Sequence, residues 1–251
     1  MEKRQFSVAP GIIYHLIVAQ AGSLGKAALE CVMNSTDAGS TRIDIDITKK
    51  TIRIRDNGQG FRTRQEIKDY FDIFGFEHKE GDRTYGKFGI GRGQLWSFCS
   101  TSWRTGTFKM DVDIKAKGLD YELSEDLPHE QGVDIQGTFY TPLKTSEILA
   151  CEKELADLAK YSVVPVYLNG KLISCDPSGQ KWNHDTEDAW IRITDDSTLA
   201  VYNLGVLVRK YPSYQFGCGG VVVTKPGVTL EALSGFPNDN FQFKSTTWLC
   251  A

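Results

Sequence analysis

Residues 28–40 read "ALECVMNSTDAGS", and this stretch decides how the rest of the chain is read. It continues an apolar, periodic segment that follows Ser23, a residue suited to cap a helix, so the pattern predicts a helix from Ser23 to about Thr36. On a helix, positions i, i+4 and i+7 share a face, and Glu30, Asn34 and Asp37 have that spacing. Theirs is not the core face. Two readings are open: a solvated stripe on an amphipathic helix, or the floor of a polar site.

Bulk properties leave the choice to local pattern. The chain has 251 residues, 41% apolar and 24% charged, with a formal net charge of -3. That length supports a sizeable core, and that charge makes no bulk case for nucleic acid or a membrane as partner. The six cysteines are scattered, with no CxxC pair and no Cys/His cluster at zinc spacing; they read as reduced thiols in a cytoplasmic protein, or a nuclear one if the source is eukaryotic. The apolar run from Gly11 to Ala21 is broken by His15 and Gln20 and is too short to span a bilayer. Residues 10–21 read as a short helix or a packed segment, with His15 as a packed histidine.

Downstream of the opening stretch, "TRIDIDIT" (41–48) alternates strictly, placing Ile43, Ile45 and Ile47 on one face and Asp44 and Asp46 on the other, the pattern of a half-buried strand. "TIRIRDNGQGF" (51–61) repeats it and ends in a turn, so the two make a hairpin through Lys49 and Lys50. "RQEIKDYFDIFG" (64–75) has helical spacing and stops at Gly75. A long polar, glycine-rich loop follows, "FEHKEGDRTYGKFGIGRG" (76–93), and runs into a predicted helix, "GQLWSFCS" (93–100). Strand-like segments come next at 102–114, 120–125 and 133–141, then a helix over 146–161. Asn169-Gly170 lies between apolar runs and signals a second hairpin. After a polar connection between 175 and 187 the remainder reads as strands.

Three glycine-bearing motifs bear on the polar stripe. "DNGQG" places Asp56, Gly58 and Gly60 directly after a strand; alone it is equally a hairpin turn. "GKFGIGRG" offers backbone amides before a helix, where phosphates bind, although it matches neither the P-loop nor the dinucleotide glycine pattern. "IQGTFYTP" places Gly137-Thr138 within a strand.

Taken in order and spacing, "ECVMNSTDA", "DNGQG", "GKFGIGRG" and "GT" resemble the GHKL ATPase family of gyrase B subunits, ninety-kilodalton heat-shock chaperones, sensor histidine kinases, MutL and MORC proteins, over about residues 20–142. The motifs are most similar to the chaperone-like and MORC/MutL-like members. The resemblance implies an α+β fold of Bergerat type, an α/β sandwich with helices packed on one face of a mixed, mostly antiparallel sheet. It implies ATP and Mg²⁺ as cofactors. Glu30 then matches the base that activates the water attacking the γ-phosphate, Asn34 the Mg²⁺ ligand and Asp37 a supporting polar position. Asp56 matches the carboxylate that accepts from the adenine amine, Gly58 and Gly60 the glycines beside the base, and Thr138 the hydroxyl that reaches adenine through water. The amides of Gly86, Lys87, Phe88, Gly89, Ile90, Gly91, Arg92 and Gly93 match the phosphate wrap, with 76–85 as a lid.

The same resemblance suggests an ATP-binding domain over 1–175 and, over 176–251, the start of a transducer-like α/β domain that this chain cuts short. Transducers supply a cation to the γ-phosphate; Lys244 in "FQFKST" is the first candidate, with Arg209, Lys210 and Lys225 as rivals and a solvated lysine as the plain alternative. The implied activity is slow, Mg²⁺-dependent ATP hydrolysis gating an ATP-dependent homodimer clamp in a chaperone-like or DNA-handling machine, with ATP and ADP as ligands and a protein client or DNA as further partners. Alternatives are a nucleotide switch with negligible turnover and a gyrase- or MutL-like DNA-processing subunit. The cations Lys49, Lys50, Arg53, Arg55, Arg62, Arg64 and Lys68 cluster in sequence, and read either as a solvated face or as a nucleic-acid surface.

Overall fold

A computed structural model describes residues 11–74 and 91–225. The chain divides into two compact units: the first runs to Leu155 and takes back Val166–Lys171, and the second holds Ala156–Pro165 and continues from Leu172. The division is interleaved rather than a single cut.

In the first unit, helices α1 (Gly11–Ala21) and α2 (Leu24–Asp37) precede the hairpin β1 (Ile43–Ile47) and β2 (Thr51–Asp56). Ser23 caps α2, its hydroxyl accepting from the Lys26 amide at 3.2 Å. A short helix α3 (Arg64–Ile67) opens on a capping box between Thr63 and Glu66 and passes into a π-turn over Lys68–Asp72. The single long helix expected here is therefore interrupted. The wider turn accompanies burial of Phe71, whose ring meets Phe61, Trp96, Trp103 and Tyr121 edge-on.

After residue 90 comes a 3₁₀ turn over Gly91–Ser97 instead of the expected α-helix; two glycines in one short segment disfavour the α form. Strands β3 (Cys99–Gly106) and β4 (Phe108–Val112) form a hairpin, followed by α4 (Ile114–Lys117), β5 (Tyr121–Ser124), β6 (Glu130–Phe139), helix α5 (Thr145–Leu158) and the pair β7 (Val166–Leu168) and β8 (Lys171–Leu172).

These eight strands form one sheet in the order β5-β4-β3-β6-β2-β1-β7-β8. β1 and β7 run parallel, while β1–β2, β2–β6, β6–β3, β3–β4 and β4–β5 are antiparallel. The alternation read from the sequence sets the register. Ile45 faces Ile54, Ile54 faces Ile135, Ile135 faces Trp103 and Trp103 faces Met110, one buried row across five strands. Each such side chain contributes about 1.5–3 kcal/mol by leaving water, and α2 adds Ala28, Cys31 and Val32 to the same core. Asn169 (φ 48°) and Gly170 (φ 76°) make the tight β7–β8 turn. The Asn169 side chain accepts from the Ile47 amide at 2.8 Å and donates to Glu152. The unit is thus an α+β domain with helices packed against a mixed, largely antiparallel sheet.

The second unit is built on β9 (His184–Asp185), β10 (Ala189–Thr194), β11 (Thr198–Asn203), β12 (Val206–Pro212) and β13 (Gly219–Thr224), in the order β12-β11-β13-β10-β9 with β11 and β13 parallel. One face buries Ile191, Leu199, Val201 and Val222, and the other carries Tyr202 and Val223 against Tyr161. The described cysteines, Cys31, Cys99, Cys151, Cys175 and Cys218, are all free thiols. Among the described residues no helix is long and apolar enough to cross a membrane.

Candidate functional site

The site forms where α2, the end of β2 and the 91–97 turn meet. Glu30 sits mid-helix on α2, and its carboxylate lies against the first residue of the turn: a Cβ on Gly91 would collide with Glu30 Oε2. A side chain at 91 would have to displace that carboxylate. Burial raises the Glu30 carboxyl to about 7, opposed by a hydrogen bond from the Gln94 side chain. A carboxyl poised there suits a general base at neutral pH. One residue along, burial and the Glu30 charge push the Cys31 thiol up, and burial pushes Cys99 up to about 12. Both therefore remain protonated thiols and offer no nucleophile.

One turn beyond Glu30, Asn34 is exposed, and Asp37, also exposed, is the last residue of α2. Among the described residues no three His, Cys, Asp or Glu side chains group into a metal site. A Mg²⁺ ion here would have Asn34 as a single neutral oxygen ligand and would otherwise be held by phosphate oxygens and water, which suits this cation.

Asp56 ends β2 with its carboxylate fixed by three donors. Ser35 Oγ reaches Oδ2 at 2.8 Å, while Ser40 Oγ at 3.1 Å and the Gly58 amide at 2.8 Å reach Oδ1. A carboxylate accepts about four hydrogen bonds, so Oδ2 keeps room for one more donor, such as an exocyclic amine. Both serines are buried. The turn after Asp56 is strapped to the end of α2: the Gln59 amide donates to the Ala38 carbonyl at 2.9 Å, and Asn57 Oδ1 accepts from the amides of Thr41 and Arg42. A Cβ on Gly58 would stand 2.6 Å from Ser40 Oγ, and Gly60, with φ +61°, abuts Thr105 Oγ1.

Other expected site residues lie elsewhere. Thr138 is exposed on β6 and lines a shallow pocket with Ser100, Ser102, Asp113 and Gln136 that contains none of Glu30, Asn34 or Asp56. Strand periodicity explains this: Ile135, Gly137 and Phe139 point inward, so Thr138 points out. The β6 residues beside Asp56 are Gly132 and Val133. Arg55 pairs with Asp134, and a Cβ on Gly132, whose φ is +70°, would press on the Asp56 carbonyl and stand 2.8 Å from its Oδ1.

Arg92, expected to offer its backbone amide to phosphates, turns its side chain into the fold. It is 8% exposed, donates to the carbonyls of Phe71 at 3.0 Å and Ile73 at 2.8 Å, and lies 4.4 Å from the Phe74 ring centroid. Burial lowers its guanidinium to about 10, with the Asp72 charge opposing. Gly93 packs on Ile17 and Phe74 at 3.0–3.2 Å of where its Cβ would be.

Lys244 and the loop residues Gly86, Lys87, Phe88, Gly89 and Ile90 lie outside the described residues, as does the 76–85 lid. Of the rival cations, Lys210 pairs with Asp157, Lys225 with Asp185, and Arg209 sits over the Tyr211 ring. Within the basic cluster, Arg53 grips Asp134 through two bonds of 2.6 and 2.8 Å, Arg55 faces Asp46 at 3.7 Å and Arg64 faces Glu125 at 3.5 Å. His15, read as packed, is exposed on α1.

Sequence reasoning alone missed Ser35, Ser40, Gln94 and Gly132. Ser35 and Ser40 stand within the opening stretch, and their signal was there: a small hydroxyl on each side of the polar stripe, available to a carboxylate arriving from another strand. No curated protein matches the chain. Residues 22–131, which hold Glu30, Asn34, Asp56 and the 91–97 turn, match the family described as histidine kinase-, DNA gyrase B-, and HSP90-like ATPase, so a GHKL-family ATPase domain is supported over this stretch.

Proposed function

We propose that the chain binds ATP with Mg²⁺ in the angle between α2 and β2 and hydrolyses it slowly, with Glu30 as the base. The observation that carries this reading is that two carboxyl groups at one site sit in different surroundings. Glu30 is half-buried and raised to about 7, whereas Asp56 is held by Ser35, Ser40 and the Gly58 amide with one acceptor position left. Glu30 suits the role of proton acceptor, and the open position on Asp56 suits that of hydrogen-bond acceptor. Asp56 would take the adenine amine, and guanine, with a carbonyl there, would face it unpaired.

Phosphoryl transfer to water needs positioning and charge stabilisation more than covalent chemistry. Glu30 orients the attacking water and takes its proton; Asn34 and the amides that begin at Gly91 hold the polyphosphate end. Bound Mg²⁺ would supply neutralisation of phosphate charge. The finer assignments belong to the same proposal: a domain boundary near 175, a transducer-like second region, a cation such as Lys244 completing the site, and an ATP-gated homodimer clamp acting on a protein client or DNA.

Calorimetry with Mg²⁺-ATP and with Mg²⁺-GTP tests the binding half. ATP is expected to bind and GTP to bind at least tenfold more weakly, by about the 1.4 kcal/mol or more that an unpaired buried acceptor costs. Equal affinities would remove Asp56 from base recognition.

A further inference from the structure

The turn over Gly91–Ser97 is poorly held by its own bonds. It is a 3₁₀ run of seven residues, longer than that geometry ordinarily sustains, and it leaves two buried polar atoms, Trp96 Nε1 and Ser97 Oγ, without a hydrogen-bond partner among the described residues. Unpaired buried groups favour release of the turn. What opposes release is Arg92. Its Nε donates to the Phe71 carbonyl at 3.0 Å and its Nη2 to the Ile73 carbonyl at 2.8 Å, and the guanidinium lies 4.4 Å from the Phe74 ring centroid. A planar fork of donors suits a grip on two acceptors at once. The glycines on either side of Arg92 are wedged against other segments. A Cβ on Gly93 would stand 3.0 Å from the Ile17 side chain and 3.2 Å from the Phe74 ring, and one on Gly91 would stand 2.9 Å from Glu30 Cδ and 3.5 Å from its Cγ.

We infer that Arg92 is a positioning residue for Glu30: by gripping the Phe71 and Ile73 carbonyls it keeps the Gly91 backbone against the Glu30 carboxylate, and so fixes where that carboxylate points. The inference rests on the reading of Glu30 as the base of an ATPase. It adds that the base is oriented from a second segment and not by α2 alone. A glutamate side chain has several staggered rotamers open to it on a helix, and Glu30 is only half-buried. The Gly91 backbone occupies part of the space those rotamers would use. With the grip lost, the turn withdraws, the Trp96 and Ser97 donors reach water, and the carboxylate gains positions that do not face the reacting water. A displacement of about 1 Å at such a group costs up to about a hundredfold in rate.

The test disturbs this contact from its two sides and measures phosphate release together with Mg²⁺-ATP affinity by calorimetry. Arg92→Lys keeps the charge and loses the fork. Gly91→Ala keeps the backbone amide and places a methyl group against the carboxylate, which is the free end of a flexible side chain and so yields in place of the fold. Each variant is expected to lower kcat about tenfold or more, with the Kd for Mg²⁺-ATP unchanged within about twofold, the split that marks an interaction realised in the transition state. In a Glu30→Gln background, read by single-turnover hydrolysis, each should change the residual rate by less than about twofold, because the residue it acts through is gone. A merely structural role would lower the rate equally in both backgrounds. Independently of turnover, Arg92→Lys should quicken hydrogen exchange over 68–74 and 91–97 and leave the β1–β2 hairpin unchanged. Wild-type kcat in Gly91→Ala or in a folded Arg92→Lys, equal losses in the two backgrounds, or unaltered exchange over 91–97 overturns the inference; if Arg92→Lys does not fold, Gly91→Ala in the two backgrounds decides it. Absence of ATP binding by the wild type, or full turnover by Glu30→Gln, instead overturns the base reading, while the exchange over 91–97 still decides whether Arg92 holds the turn.

Discussion

Glu30→Gln should stabilise the first unit at pH 8 and do much less at pH 5. The Glu30 carboxyl ordinarily titrates near 4.5 and is raised to about 7 by burial in the fold. A raised folded-state value means that the folded chain holds a proton the unfolded chain has lost between pH 4.5 and 7. The associated stability is complete below 4.5 and is gone once pH passes 7. The full shift corresponds to about 3 kcal/mol, and between pH 5 and 8 about 2–2.5 kcal/mol of it disappears.

Glutamine carries no ionisable proton and keeps a carbonyl for the Gln94 amide, so its stability lacks this dependence. The gap between variant and wild type should widen by about 2 kcal/mol across that range. Because the chain has two units, one global unfolding signal would mix them. Hydrogen exchange of peptides covering 24–56, followed through a urea series at each pH, reads the relevant unit alone. A gap independent of pH, or a variant less stable at pH 8, would refute the claim that Glu30 is held ionised at a cost in a half-buried site.

Further outcomes follow from the same geometry. Asp56→Asn puts an amide where Ser35, Ser40 and the Gly58 amide donate, so it should weaken ATP binding at least tenfold by calorimetry; unchanged affinity would require another acceptor for adenine. Gly132→Ala brings a Cβ onto Asp56 at a positive φ and should cost about 1–3 kcal/mol in denaturant unfolding, with ATP affinity falling as well; a neutral result would show that β6 has room to shift. Thr138→Val should leave ATP affinity within twofold, because the hydroxyl faces the other side of the sheet, and a tenfold loss would place the nucleotide elsewhere. Phosphate release by the wild type should rise between pH 6 and 8 as Glu30 ionises, and a flat profile would separate the rate-limiting step from this carboxyl.

Much of the fold was legible because it follows from period and punctuation. The isoleucine alternation at 43–47 and 52–54 set the register of a row that crosses five strands, and Ser23 marked the start of α2. The irregular turns were not legible. A hydrophobic period cannot tell an α-turn from the π-turn at 68–72 or the 3₁₀ turn at 91–97, since these depend on where Phe71 packs and on what Arg92 grips.

In the site, the spacing of Glu30, Asn34 and Asp37 was readable as one helix face. The donors on Asp56 and the hydrogen bond from Gln94 join residues far apart in sequence, which no local pattern encodes. Thr138 shows the opposite hazard. "GT" drew attention by its residue types, while the β6 residues that adjoin Asp56, Gly132 and Val133, lack a hydroxyl to advertise them.

The central claim is that one polar face of α2 serves ATP chemistry through Glu30. Steady-state phosphate release by wild type and Glu30→Gln, with Mg²⁺-ATP affinity measured on both, tests it most directly. The account predicts equal affinity within a few-fold and turnover at least a hundredfold lower in the variant, about 2.7 kcal/mol of lost transition-state stabilisation. Equal turnover in the two proteins, or no ATP binding by the wild type, would contradict it.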